Sequence, residues 1–236
     1  VEFAARWKRD ARQVEVVLRE AVRVVRMANG VIITETRQGF ILANAGVDAS
    51  NVGPASGDVV LPLPDGPVVH GDHGLEVEDR VEVPVVGGVV LPLDGEGRNA
   101  EVLHEARGDV VLRLPDDPDA SARRIRAAIE ARHGVAPGVV VSDSLGRPWR
   151  FGITDLAIGV AGFRPLEDLR GTPDADGRVM AATVRAVADE IASAAELVLG
   201  KAARRPAALV RGASPPPGEG SVRADVLMPP ETDLFR

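Results

Sequence analysis

The chain has 236 residues, 45% hydrophobic and 27% charged, which excludes a disordered tail, a collagen-like repeat and a disulfide scaffold. Aromatic residues make up 3% and tyrosine is absent, so Val, Leu, Ile and Ala must form the core and base-stacking platforms are almost excluded. With 28 Lys and Arg against 35 Asp and Glu, the net charge of −7 is the wrong sign for a nucleic-acid binder.

Cysteine is absent, which rules out disulfides, thiolate metal sites and a cysteine nucleophile and fits a reducing cytoplasm. No apolar run approaches the roughly 20 residues that cross a bilayer, and the first ten residues lack a secretory leader's apolar stretch. Neither a membrane nor a nucleic acid is expected as a partner. The chain begins with Val inside what reads as a helix, so an N-terminally truncated domain is expected.

In chain order, Val14, Val17, Leu18, Val22 and Val25 recur at helical spacing and predict a helix from about Glu2 to Met27, closed by Asn29-Gly30. Val31 to Thr36 and Gly39 to Ala43 read as two strands of a hairpin around Arg37-Gln38. Residues 52–108 are rich in Gly, Pro and Val without helical period. Three similar units begin at Asp58, Val89 and Asp109, which predicts a β-rich insertion within one domain over 1–236. Pro118-Asp119 opens a helix over Ala120 to His133, with Asp119 as the expected N-cap. Gly138 to Ser142 and Leu156 to Gly162 read as buried strands, Arg178 to Gly200 as a long amphipathic helix, and Ala207 to Gly212 as a last strand before an extended tail. The fold class is α/β, of the mixed α+β kind.

Two carboxylates, Asp48 and Asp143, follow apolar strands, where loops build sites on a rigid frame. Carboxylate, hydroxyl and amide oxygens without cysteine favour a hard cation such as Mg²⁺ or Mn²⁺. Arg147 and Arg150, close to Asp143, suit phosphate oxygens. On residue types alone, both Asp could equally cap turns. Other candidates are weaker. His70-Gly71-Asp72-His73 lacks a third zinc ligand nearby, and His104 and His133 read as surface residues. Gly200-Lys201 resembles the end of a phosphate loop without its glycines, no Gly-x-Ser-x-Gly elbow is present, and Arg123-Arg124-Ile125-Arg126 reads as a solvated helix face.

Several longer motifs resemble the coenzyme F420-0:L-glutamate ligase (F420 gamma-glutamyl ligase) family. They are Ile33 to Phe40, Ala43 to Asn51, Leu114 to Ala122, Ser142 to Arg150, Ala157 to Gly162 and the closing Pro229 to Arg236, in that order along the chain. The resemblance implies a GTP- and metal-dependent ligase that joins L-glutamate to coenzyme F420-0 through an acyl phosphate and forms gamma-glutamyl links. It implies Asp48 and Asp143 as ligands of Mg²⁺ or Mn²⁺, with Ser144 reaching a second metal. Asn51, Arg147 and Lys201 would contact GTP, and Leu199 to Pro206 would close over the nucleotide. It further implies a cytoplasmic homodimer. The family carries an N-terminal segment with a Ser and a Lys near the nucleotide, and this chain begins after it. Two other readings therefore stay open: a degenerate homologue that binds nucleotide without ligation, and a metal-dependent phosphohydrolase using the same two Asp.

Overall fold

A computed structural model describes residues 10–28, 31–47, 59–62, 110–201, 203 and 205–233. The described residues fall into two compact units, one up to Asp116 and one from Asp117 onward. Both combine helices with antiparallel strands, so the mixed α/β class holds.

In the first unit, Asp10 accepts the Arg12 amide at 2.8 Å and caps helix α1, Ala11–Glu20. The helix stops there, against the expected end at Met27, and strand β1, Ala21–Ala28, follows at once. Val22, Val24 and Val25 are β-branched and lose little in an extended chain. They also gain a partner strand, β2, Val31–Thr36, in an antiparallel register running from Ala21↔Thr36 to Ala28↔Val31. Arg23 Nε donates to Glu35 Oε2 across this pair at 2.7 Å. Strand β3, Ile41–Ala43, completes the expected hairpin with β2. Val14, Val16, Val17, Ile32, Ala45 and Val47 make the core beneath it.

Within 52–108, only Val59–Pro62 falls among the described residues. It forms β4 and pairs antiparallel with β5, Val110–Arg113, so the units begun by Asp58 and Asp109 are partners across a ladder. The unit at Val89 lies outside the described residues, as do His70, Asp72, His73 and His104.

The second unit is built on a long antiparallel ribbon, β6, Val139–Arg147, and β7, Arg150–Ala161. Its buried half is Val139, Val140, Val141, Ala157, Ile158, Val160 and Ala161, the aromatic-poor core that the composition requires. Helix α2, Pro118–His133, and helix α3, Val187–Leu199, both pack on the ribbon. The first turn of α2 presses so closely on β7 that a Cβ at Gly159 would run into the Pro118 carbonyl.

Other features of this unit differ from expectation. Asp117, not Asp119, caps α2 by accepting the Ala120 amide at 2.8 Å. Asp119 turns inward instead, and its carboxylate takes the amides of Val160 and Val222 at 2.9 Å and of Arg223 at 3.3 Å. The helix expected from Arg178 begins only at Val187, because Val184–Arg185 is strand β9 and pairs with β8, Glu167–Asp168. Ala207 to Gly212 forms no regular strand, and the tail contains a helical turn over Val222–Val226.

Candidate functional site

The β6–β7 ribbon carries the polar cluster. The two strands pair regularly from Ser142↔Ala157 to Gly146↔Ile153, just beyond a bulge that leaves Ile158 without a partner. Residues directly opposite share a face in such a pair, so Ser142, Ser144 and Asp155 come together. Ser144 Oγ donates to Asp155 Oδ1 at 2.6 Å, and Ser142 Oγ donates to Asp155 Oδ2 at 3.2 Å. Lys201, just past the end of α3, donates from Nζ to Ser144 Oγ and lies 3.3 Å from Asp155 Oδ1. The Asp155 side chain is buried, whereas Lys201 remains half in solvent.

The backbone around Asp155 is held by α3. Ser193 Oγ donates to the Asp155 carbonyl at 2.8 Å and sits 3.2 Å from Thr154 Oγ1. One helical turn earlier, Asp189 Oδ1 accepts the Ala157 amide at 3.0 Å. Burial pushes the Asp189 carboxyl above the ordinary Asp range, and the Ala157 hydrogen bond opposes that rise.

Asp143 is half-buried, and its Oδ1 accepts the Ser144 amide at 2.7 Å. The expectation that it sits on a loop beyond a strand is corrected: β6 runs on through Asp143 to Arg147. Strand alternation places Asp143 and Ser144 on opposite faces of the ribbon. Arg147 ends β6, and its buried Nε finds no acceptor among the described residues. Asp48 and Asn51 lie outside the described residues. The structure therefore joins Ser144 to Lys201 and supplies a member that the sequence reading missed, Asp155. A turn at Pro148-Trp149 alone would set Ile153 opposite Ser144; the register shift between Gly146 and Arg147 brings Asp155 there instead, and no residue pattern announces it.

Oxygen donors dominate the cluster, and among the described residues no group of three or more His, Cys, Asp or Glu gathers. A soft-metal centre is not built there. No described helix is long and apolar enough to cross a membrane.

Comparison with known proteins decides the family. The sequence pattern described as F420-0:gamma-glutamyl ligase matches residues 1–72 and 93–212. The chain belongs to this family. Coenzyme F420:L-glutamate ligase of Methanocaldococcus jannaschii is 34% identical over 237 residues, covering 100% of this chain and 73% of that protein. The protein of the same name from Methanopyrus kandleri is 35% identical over 239 residues, with 99% and 73% covered. That of Methanothermobacter thermautotrophicus is 32% identical over 242 residues, with 100% and 73% covered. Within this gamma-glutamyl ligase family, Ser142 to Arg150 is thus one strand and turn of the ribbon, lying inside the matched region together with Asp155 and Lys201.

Proposed function

We propose that the protein is a GTP- and divalent-metal-dependent ligase that adds L-glutamate to coenzyme F420-0, working in the cytoplasm as a homodimer. The observation that carries this reading is the meeting of Ser144, Asp155 and Lys201 on the ribbon of a chain from the gamma-glutamyl ligase family. Oxygen ligands without sulfur suit Mg²⁺ or Mn²⁺. Asp143, with Asp48, would hold one metal, Ser144 on the opposite face of the ribbon would reach a second, and divalent cations bound there would neutralise charge on the nucleotide phosphates. Lys201 would give a third ammonium proton to a phosphate oxygen, and Arg147 would use the Nε that has no described acceptor in the same way. An unpaired buried donor costs about 1–3 kcal/mol, so an anionic acceptor there is favourable. Asn51 would contact GTP.

The chemistry requires activation, because a carboxylate does not accept an amine at neutral pH. Transfer of the γ-phosphoryl group to the F420-0 carboxylate gives an acyl phosphate and GDP. The glutamate amine then attacks the acyl carbon, the amide forms, and phosphate leaves with the carboxylate oxygen it captured. The residues of the ribbon position these groups more than they react themselves.

The test is incubation with F420-0, L-glutamate, GTP and Mn²⁺, followed by mass spectrometry of the deazaflavin. One added glutamate is the expected product. With ¹⁸O in the F420-0 carboxylate, the label should appear in the released phosphate. A folded, metal-loaded protein that yields no glutamylated product would overturn the reading, and unlabelled phosphate would overturn the acyl-phosphate route.

A further inference from the structure

The oxygens at Ser144 and Asp155 already carry a positive partner from the chain itself. Lys201 Nζ donates to both, while the second Asp155 oxygen takes the Ser142 hydroxyl. The two ends of the ion pair differ in burial: 9% of the Asp155 side chain is exposed against 54% of the Lys201 side chain. A buried carboxylate is costly without a cation, whereas a half-exposed ammonium can leave and stay hydrated. The means of leaving is in the backbone. Gly200, immediately before Lys201, has φ 62° and ψ 142°, a conformation essentially confined to glycine, and among the described residues beyond its chain neighbours only Ala203 comes within 4 Å of its Cβ position.

An ammonium and a divalent cation cannot share the same two oxygens, because like charges a few ångströms apart repel by several kcal/mol even at an effective dielectric of about 20. We propose that Lys201 is a built-in counter-cation of the Ser144–Asp155 pair, which a divalent metal at Ser144 must displace. The proposal rests on the ligase reading for the metal itself. Once displaced, the ammonium is free for phosphate oxygens. A polyphosphate that draws Lys201 away in turn uncovers the oxygens for the metal. Metal and nucleotide thereby favour each other through one side chain, and the coupling must be equal in both directions.

The experiment measures protein-bound Mn²⁺ by water-proton relaxation enhancement, with and without a non-hydrolysable GTP analogue, for the wild type, Lys201→Met and Lys201→Arg. Without nucleotide, Lys201→Met should bind Mn²⁺ about tenfold more tightly than the wild type, a shift typical of coupled sites. Lys201→Arg keeps the charge and should retain the wild-type affinity. The gain in Mn²⁺ affinity on adding nucleotide should shrink in Lys201→Met. Unchanged or weaker Mn²⁺ binding by Lys201→Met, in a protein whose thermal melting matches the wild type, overturns the proposal while leaving the ligase reading intact. If no protein form binds Mn²⁺ even with nucleotide present, the metal reading of the site fails with it. Should Lys201→Met melt early, Lys201→Gln is compared with Lys201→Arg in the same assay, and equal affinities reject the idea.

Discussion

Asp119 Oδ1 accepts the Val160 amide at 2.9 Å although the two residues lie 41 positions apart, and the same oxygen takes the Val222 amide at 2.9 Å. One buried carboxylate at the start of α2 thus ties strand β7 to the C-terminal helical turn. Asp119→Ala would strand three amides, two of them buried. At about 1–3 kcal/mol for each unsatisfied buried group, the loss should be roughly 3 kcal/mol or more. Urea unfolding followed by circular dichroism checks this, and a loss below about 1 kcal/mol would mean that water replaces the carboxylate.

Asp143→Asn should act on turnover and not on folding. If Asp143 holds the metal, replacing its carboxylate by an amide removes one anionic ligand and leaves phosphoryl-group charge uncompensated in the transition state. Ligation should fall at least about a hundredfold, or roughly 2.7 kcal/mol, with a nearly unchanged melting temperature. An unfolded variant, or a folded one of full activity, would return Asp143 to a structural role in its turn with Ser144.

Asp189 gives the pH dependence. Its carboxyl pKa is raised in the folded protein by burial, so the native state holds this proton more tightly than the unfolded chain does. Stability from this group is therefore present at low pH and falls as pH rises from the unfolded value near 3.8 through the higher folded value. Asp189→Asn keeps an oxygen for the Ala157 amide and removes the titration. The variant should match the wild type in acid and be at least as stable at neutral pH, as thermal melts across that range would show. Destabilisation of Asp189→Asn at neutral pH alone would reverse the sign.

The pairing of Val59–Pro62 with Val110–Arg113 makes the intervening segment removable in a particular way. Pro62 and Val110 are opposite residues at one end of the ladder. Replacing residues 63–109 with Asn-Gly, which suits a two-residue hairpin turn, should preserve a single cooperative unfolding transition. A broad, non-cooperative transition would show that the replaced residues belong to the core.

Apolar runs were legible in the sequence wherever burial alone sets them, as at Val139 to Val141 and Ala157 to Ala161. The end of α1 was not. Val22 and Val25 satisfy helical spacing, yet the β-branched run around them pairs with Val31 to Thr36, a partner that periodicity within one segment cannot reveal. Asp117 and Asp119 are equally plausible caps by type. Which of them turns inward depends on Val160 and Val222, distant in sequence. The candidate site divides similarly. Ser144 and Lys201 were named from motifs, whereas Asp155 depends on the strand register and remained hidden.

The outward-facing amides of β7 lead to a different property. Those of Ala157 and Val160, and that of Gly162 just past the end of the strand, are taken by the side chains of Asp189, Asp119 and Glu219. A strand with bare amides along its rim invites another chain to dock in register, the first step toward fibrous aggregates. Here three carboxylate side chains occupy those donors, so an incoming strand finds these three positions already taken. The same occupancy should slow deuterium uptake at Ala157 and Val160, which would give a lateral strand the exchange behaviour of a central one.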